Sequence, residues 1–248
     1  MEISSTADLL RFAISASNAF SHVVWYRGHS VGSSDWKLTP SAFRQFPSIE
    51  NERAATMNFC RRAPSRHAST PKQNNYAAWL CLMQHYGLPT RLLDWTESVL
   101  VAAYFAVSDL STETDAAIFA LAPIELNRSA KLSGIPMLTN RELLGRVLPA
   151  FGGQEKEDDI VATIMSDVDQ RMFIQQAVFT LHTSRRPLEE LQQSDACLHK
   201  GVIPAGAKER IEWELRICGV SRAKLFPDLG NLAVELVDQQ IRSIKRNS

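Results

Sequence analysis

Apolar positions recur at helical spacing near the start of the chain. Leu9, Leu10, Phe12, Ala13 and Phe20 follow Ser4, Ser5 and Thr6, which predicts an amphipathic first helix with a hydroxyl or Asp8 near its start. The period then shortens. Residues 22–30 are rich in β-branched and aromatic side chains and read as a strand that puts Val23, Trp25 and Arg27 on one side. Asp35 to Arg44 reads as a second short strand followed by a proline-initiated turn of helix. Glu50 to Arg62 returns to helical spacing, and Pro64 ends it. Residues 65–75 are polar and full of breakers, a loop. Tyr76 to His85 forms the next helix, terminated at Gly87.

The most unusual stretch runs from Gln84 to Val107. Gly87-Leu88-Pro89 is a turn, and Thr90 to Trp95 reads as a short extended segment leading into a helix from Ser98 to about Leu110. Asp94 or Thr96 is the expected N-cap; with Asp94 as cap, Glu97 would complete a D-x-x-E capping box. The helix is apolar nearly all round and is therefore expected to be buried. Gln84, His85, Arg91, Asp94, Trp95 and Thr96 crowd its start, so these polar groups must pair with one another or face a cleft.

Further on, Asp115 to Pro123 is an almost unbroken apolar run, a strand buried on both faces. Residues 124–168 are the least legible: a helical turn over 142–148, a loop over 151–154 and a short helix over 158–168. Ala177 to His182 is a strong strand. Gln175 and Gln176 lead into it, either bonding strand-edge backbone or facing a ligand. Residues 202–204 read as an edge strand, 208–218 as a helix closed by Gly219, and 225–230 as a tight connection. Residues 231–245 make a final amphipathic helix with a basic end at Arg242, Lys245 and Arg246. The pattern predicts one α+β domain: a mixed or antiparallel sheet of about five to seven short strands with helices around it, and the buried helix lying across the sheet.

Composition adds limits. The chain of 248 residues is 45% hydrophobic, long enough for a full core, and no Pro/Gly/Ser-rich linker divides it. Lys+Arg and Asp+Glu both number 27, so overall charge calls for neither nucleic acid nor an anionic membrane, although a local basic patch is compatible with it. The four cysteines have no metal-ligand spacing and read as free thiols of a reducing compartment. The first residues lack a signal-peptide pattern, and no apolar run is long enough to span a bilayer, so a cytoplasmic protein without a membrane partner is expected. The six histidines are dispersed, which makes a metal enzyme an unfavoured expectation. Phosphate-loop, dinucleotide-fingerprint, zincin and nucleophile-elbow motifs are absent. Arg27 has two readings: an edge arginine reaching water, or a guanidinium held at a strand end to meet a carboxylate or phosphate, with Gly28 admitting a ligand or another backbone.

Tyr26-Arg27-Gly28, the run Gln84 to Thr96 with Ala102 to Ala106, Arg171 with Gln175, and Leu225 to Leu229 together resemble the FRG domain, a family named for an (F/Y)-R-G motif and found in bacteria and phages. The likeness covers roughly residues 20–236, with an N-terminal helix over 1–19 and a helix end and basic tail over 237–248. A weaker likeness is to ADP-ribosyltransferases of the arginine-serine-glutamate type. It follows Tyr26-Arg27-Gly28, then Asp94-Trp95-Thr96 before an Ala/Phe-rich helix, then a strand carrying Gln175 and Gln176. This second resemblance implies NAD as substrate, with ADP-ribose transfer or NAD cleavage in a toxin or phage-defence role. Arg27 and Gly28 would hold the pyrophosphate, Thr96 would line the pocket, and His85 and Arg91 would flank it. Asp94 and Gln175 would be the catalytic pair. The departure is that glutamine stands where that class has glutamate. The alternatives are a non-catalytic module that binds a nucleotide, a nucleic acid or a protein such as an antitoxin, and a purely structural network of Arg27, His85, Arg91 and Asp94.

Overall fold

The period-two segments make six strands in the computed structural model, which describes residues 1–20, 23–32, 37–110, 113–155, 157–166 and 170–247, with side chains through residue 241. They are β1 (Trp25–His29), β2 (Leu92–Thr96), β3 (Ala116–Leu121), β4 (Ile160–Thr163), β5 (Ala177–His182) and β6 (Leu198–Ile203). Their order is β4-β5-β2-β1-β3-β6, and every pairing between neighbours is antiparallel. The helices are α1 (Thr6–Phe20), α2 (Ser41–Gln45), α3 (Ile49–Arg62), α4 (Tyr76–His85), α5 (Val99–Val107), α6 (Pro123–Ser129), α7 (Leu144–Val147), α8 (Gln170–Gln175), α9 (Ser194–Cys197), α10 (Lys208–Ile217), α11 (Arg222–Leu225) and α12 (Leu229–Asn247). The fold is thus α+β, an open antiparallel sheet with helices around it.

Helices cover both faces of the sheet, and alternation along β2 divides its side chains between two cores. Leu93 and Trp95 join a core with α1, α5, β3 and α10, whereas Leu92 joins one with α4, Phe179 and Leu181. Double coverage is why β3 is apolar at every position. It also explains β4, which lies where the periodicity of 158–168 suggested a helix. All four of its residues are buried, so no alternation is left to betray a strand. Residues 167 and 168 of that expected helix lie outside the described residues.

Helix α5 packs directly on β1, and Gly28 makes this possible. A Cβ there would stand 1.9 Å from the Ala102 carbonyl oxygen and 2.6 Å from the Ala106 nitrogen, so the backbone that Gly28 admits is that of α5. The small residues Ala102, Ala103 and Ala106 complete the close approach.

The start of α5 differs from the sequence expectation. Asp94 lies inside β2 and Thr96 ends it, so neither is the N-cap. That residue is Ser98, whose hydroxyl accepts from the Val101 N–H at 3.4 Å, while the Glu97 N–H bonds the Gln176 carbonyl instead of entering a capping box. Ser98→Ala should therefore lower stability by about 1 kcal/mol, and Glu97→Ala should leave it unchanged. Urea denaturation of the two variants checks this.

Three other local expectations are corrected. Lys37 to Thr39 is not a strand: the Leu38 N–H is held by the Glu189 carboxylate and the Leu38 carbonyl by the Leu188 N–H, loop against loop. Asp35 and Trp36 lie outside the described residues. Gln175 ends α8 rather than entering a strand, and Gln176 sits at φ 47°, a left-handed break before β5. Helix α6 was not foreseen, because its seven residues carry no periodic apolar stripe. At the ends of the chain, Leu9, Phe12, Ala16 and Phe20 of α1 belong to the main core, and α12 runs unbroken through residues 236 and 237.

Candidate functional site

Strand β1 pairs with β3 along its whole length, and β2 does the same with β5, but β1 and β2 meet through Tyr26 opposite Thr96. A cleft of about 340 Å³ opens beside that junction. Residues 26–30 and 94–96 form two of its walls. Cys81, Gln84 and His85 of α4, Ala102 and Phe105 of α5, Arg171, Met172 and Gln175 of α8, and Ala177 and Phe179 of β5 form the rest.

Arg27 spans the gap between the strands. Its Nη1 donates to the Asp94 carbonyl oxygen at 2.5 Å and its Nε to His29 Nε2 at 2.9 Å. Burial pushes the guanidinium down to about 10, against the pull of Asp94 and with a smaller push from Arg44, so it stays charged at neutral pH. A guanidinium has five N–H groups, and these two bonds leave others for a ligand.

The Asp94 carboxylate points to α4, where Gln84 Nε2 donates to it at 2.7 Å. The amide is held in that orientation because Gln84 Oε1 accepts the Thr90 hydroxyl at 2.5 Å. Asp94 is exposed and is the one carboxylate among the residues lining the cleft. Cys81 also lines it, but burial, aided by Asp94, pushes its thiol up to about 12, which leaves it protonated and unreactive.

Gln175 ties two walls together. Its backbone carbonyl accepts the Thr96 hydroxyl at 2.6 Å, and its side-chain Nε2 donates to the Leu225 carbonyl at 3.0 Å. One helical turn earlier, the Arg171 guanidinium lies 4.6 Å from the centre of the Phe226 ring, which in turn meets Phe105 edge-on. Behind the cleft, the Trp95 indole donates to Thr180 Oγ1 at 3.0 Å, and that hydroxyl lies 2.9 Å from His182 Nε2. Burial, with the Arg27 charge, pushes His182 down to about 3, so it is neutral.

Arg27, Gly28, His85, Asp94, Thr96 and Gln175 therefore meet at one cleft. Arg91 does not. Its guanidinium is wholly buried on the Glu52 carboxylate of α3, at 2.9 Å and 2.7 Å, with Glu155 3.8 Å away. A structural network thus exists, but it is Arg91–Glu52, separate from the Arg27–Asp94 junction. Arg171, Gln84 and Phe105 are among the lining residues not assigned a role from sequence. Arg171 and Gln175 stand four apart, and reading residues 170–175 as a helix would have put them on one face. The described residues contain no group of His, Cys, Asp and Glu able to hold a metal ion and no helix long and apolar enough to cross a membrane.

Residues 22–115 match the family model of the FRG domain. No curated protein and no solved structure gives a significant match. The matched segment holds Arg27, Gly28, Gln84, His85, Asp94 and Thr96, so the family's motif and the cleft coincide there, while Arg171, Met172 and Gln175 of α8 and Ala177 and Phe179 of β5 line it from outside the match. The chain carries an FRG domain.

Proposed function

We propose that the cleft binds NAD and cleaves its bond between nicotinamide and ribose, passing ADP-ribose to water or to an acceptor. The observation that carries this reading is the junction of Arg27 and Asp94 in one open cleft. Arg27 offers its remaining N–H groups to the pyrophosphate, the geometry at which a guanidinium fork bonds best. Arg171 adds a second positive charge, and Phe105 and Phe179 supply apolar faces for the rings.

In the chemical step the bond between ribose C1′ and the nicotinamide nitrogen breaks. Nicotinamide leaves neutral, taking the bonding pair, and positive charge develops on the ribose. Asp94, held by Gln84, stabilises that charge. The acceptor oxygen or nitrogen then bonds C1′ and releases its proton. Gln175 keeps its Oε1 as an acceptor for a ribose hydroxyl, and Thr96 positions Gln175 through the backbone bond.

A non-catalytic nucleotide-binding module is the second reading, and Gln175 and Gln176 favour it because an amide cannot take a proton from an acceptor. A toxin or phage-defence role, acting in the cytoplasm with an antitoxin as partner, belongs to the first reading.

Calorimetric titration with NAD and chromatographic detection of nicotinamide separate the two. The expected result is saturable binding with slow nicotinamide release. Arg27→Gln should weaken binding by about 2 kcal/mol, roughly thirtyfold. Asp94→Asn should keep binding and slow release by about a hundredfold or more. Binding without release, in the presence of cell lysate as a source of acceptors, would leave only the module. Absence of binding at millimolar NAD would end both NAD readings.

A further inference from the structure

From Arg53 to Leu93 the chain contains no aspartate or glutamate, although the protein as a whole is neutral. Two of the basic residues in this stretch turn inward: Arg91 meets Glu52, and Arg53 donates to the Pro149 and Gly153 carbonyls. The others, Arg61, Arg62, Arg66 and Lys72, are exposed at the end of α3 and in the loop before α4, and among the described residues none is paired with a carboxylate.

An aromatic track connects this basic turn to the cleft. Arg66 Nη1 bonds the Arg62 carbonyl, which fixes the turn. His67, next in the chain, lies edge-on to Tyr86 with ring centres 5.7 Å apart. Tyr86 lies edge-on to His85 at 4.8 Å, and His85 lines the cleft. Tyr86 is 56% exposed, a large ring presented to solvent and belonging to neither hydrophobic core.

We propose that this face binds single-stranded nucleic acid, with the phosphates on Arg61, Arg62, Arg66 and Lys72 and a base stacked on Tyr86 beside the mouth of the cleft. Positive charge without interspersed acids attracts any polyanion. An exposed ring beside it selects for unpaired bases, because every base offers a face to stack and a duplex hides it. The placement puts the strand next to the cleft whether or not NAD is what the cleft holds.

Fluorescence anisotropy with a labelled mixed-sequence single strand, as RNA and as DNA, and with the matching duplex tests the proposal on the full chain. Both single strands should bind at low salt and weaken linearly with the logarithm of salt; a preference between them reports contact with the ribose 2′-hydroxyl. Arg62→Glu with Arg66→Glu should weaken binding at least tenfold and flatten the salt slope. Tyr86→Ala should weaken it about tenfold and leave the slope unchanged. Calorimetry with NAD should give the wild-type result in the double variant, which separates failure here from failure of the NAD reading. Melting curves establish that each variant is folded. The proposal is overturned if neither single strand binds at low salt, if the duplex binds as tightly, or if polyglutamate competes equally and Tyr86→Ala has no effect, which would make this a face for an acidic protein.

Discussion

Glu52→Ala should lower the stability of this protein by about 3–5 kcal/mol, the loss typical when one partner of a buried ion pair is removed. Arg91 is wholly buried, and both bonds from Nε and Nη2 end on the Glu52 carboxylate. Its Nη1 has no hydrogen-bond partner among the described residues, and the Phe43 ring lies 5.7 Å from the guanidinium carbon. The variant would leave that charge in the protein interior opposite an alanine, with Glu155 at 3.8 Å the nearest acid. The effect reaches the cleft because the pair joins α3 to the residue just before β2, the strand that carries Asp94. Thermal melting should show a fall on the order of 10 °C for a chain of this size. The double variant Glu52→Leu with Arg91→Met should recover most of the loss, since it removes both charges and their desolvation together. A Glu52→Ala protein that melts at the wild-type temperature would contradict the assignment of this pair as the anchor of α3.

Gly28→Ala is the second large effect, and its origin is steric. The added methyl group would lie 1.9 Å from the Ala102 carbonyl oxygen and 2.6 Å from the Ala106 nitrogen. Both are backbone atoms of α5, so no side-chain rotation relieves the overlap. Either the helix lifts from the sheet or β1 bends. Overpacking of this kind costs about 3 kcal/mol, the upper end of its usual range, or more. Because Arg27 precedes Gly28, a shifted β1 also carries the guanidinium away from the Asp94 carbonyl, and the binding of NAD proposed for the cleft should weaken with stability. Ala102→Gly should not rescue the variant, since the obstacle is the carbonyl and not the methyl group. Recovery by Ala102→Gly, read by melting temperature, would show that the contact has been misjudged.

Among the residues assigned from sequence, the legible ones belong to two short motifs, residues 26–28 and 84–96. Gly28, His85, Asp94 and Thr96 stand in or beside motifs whose turn chemistry and burial are local, and local rules reach them. Arg91 misled because a charged residue within a polar cluster looks like part of a site. Only the packing of α3 shows that its partner is Glu52, thirty-nine residues earlier in the chain. Gln175 lines the cleft from the end of α8 and not from a strand, because the left-handed break at Gln176 has no glycine to announce it.

What the amino-acid order determined alone is most of the strands and helices outside residues 124–168, the buried character of α5, the turn at Gly87 and the match of residues 22–115 to a family model. These depend on interactions between residues a few positions apart. The tertiary structure decided which backbone Gly28 admits, which carboxylate neutralises Arg91, and that α8 lines the same cleft as Arg27. Each of those depends on how far apart two strands or helices come to rest, and no period in the sequence encodes such a distance.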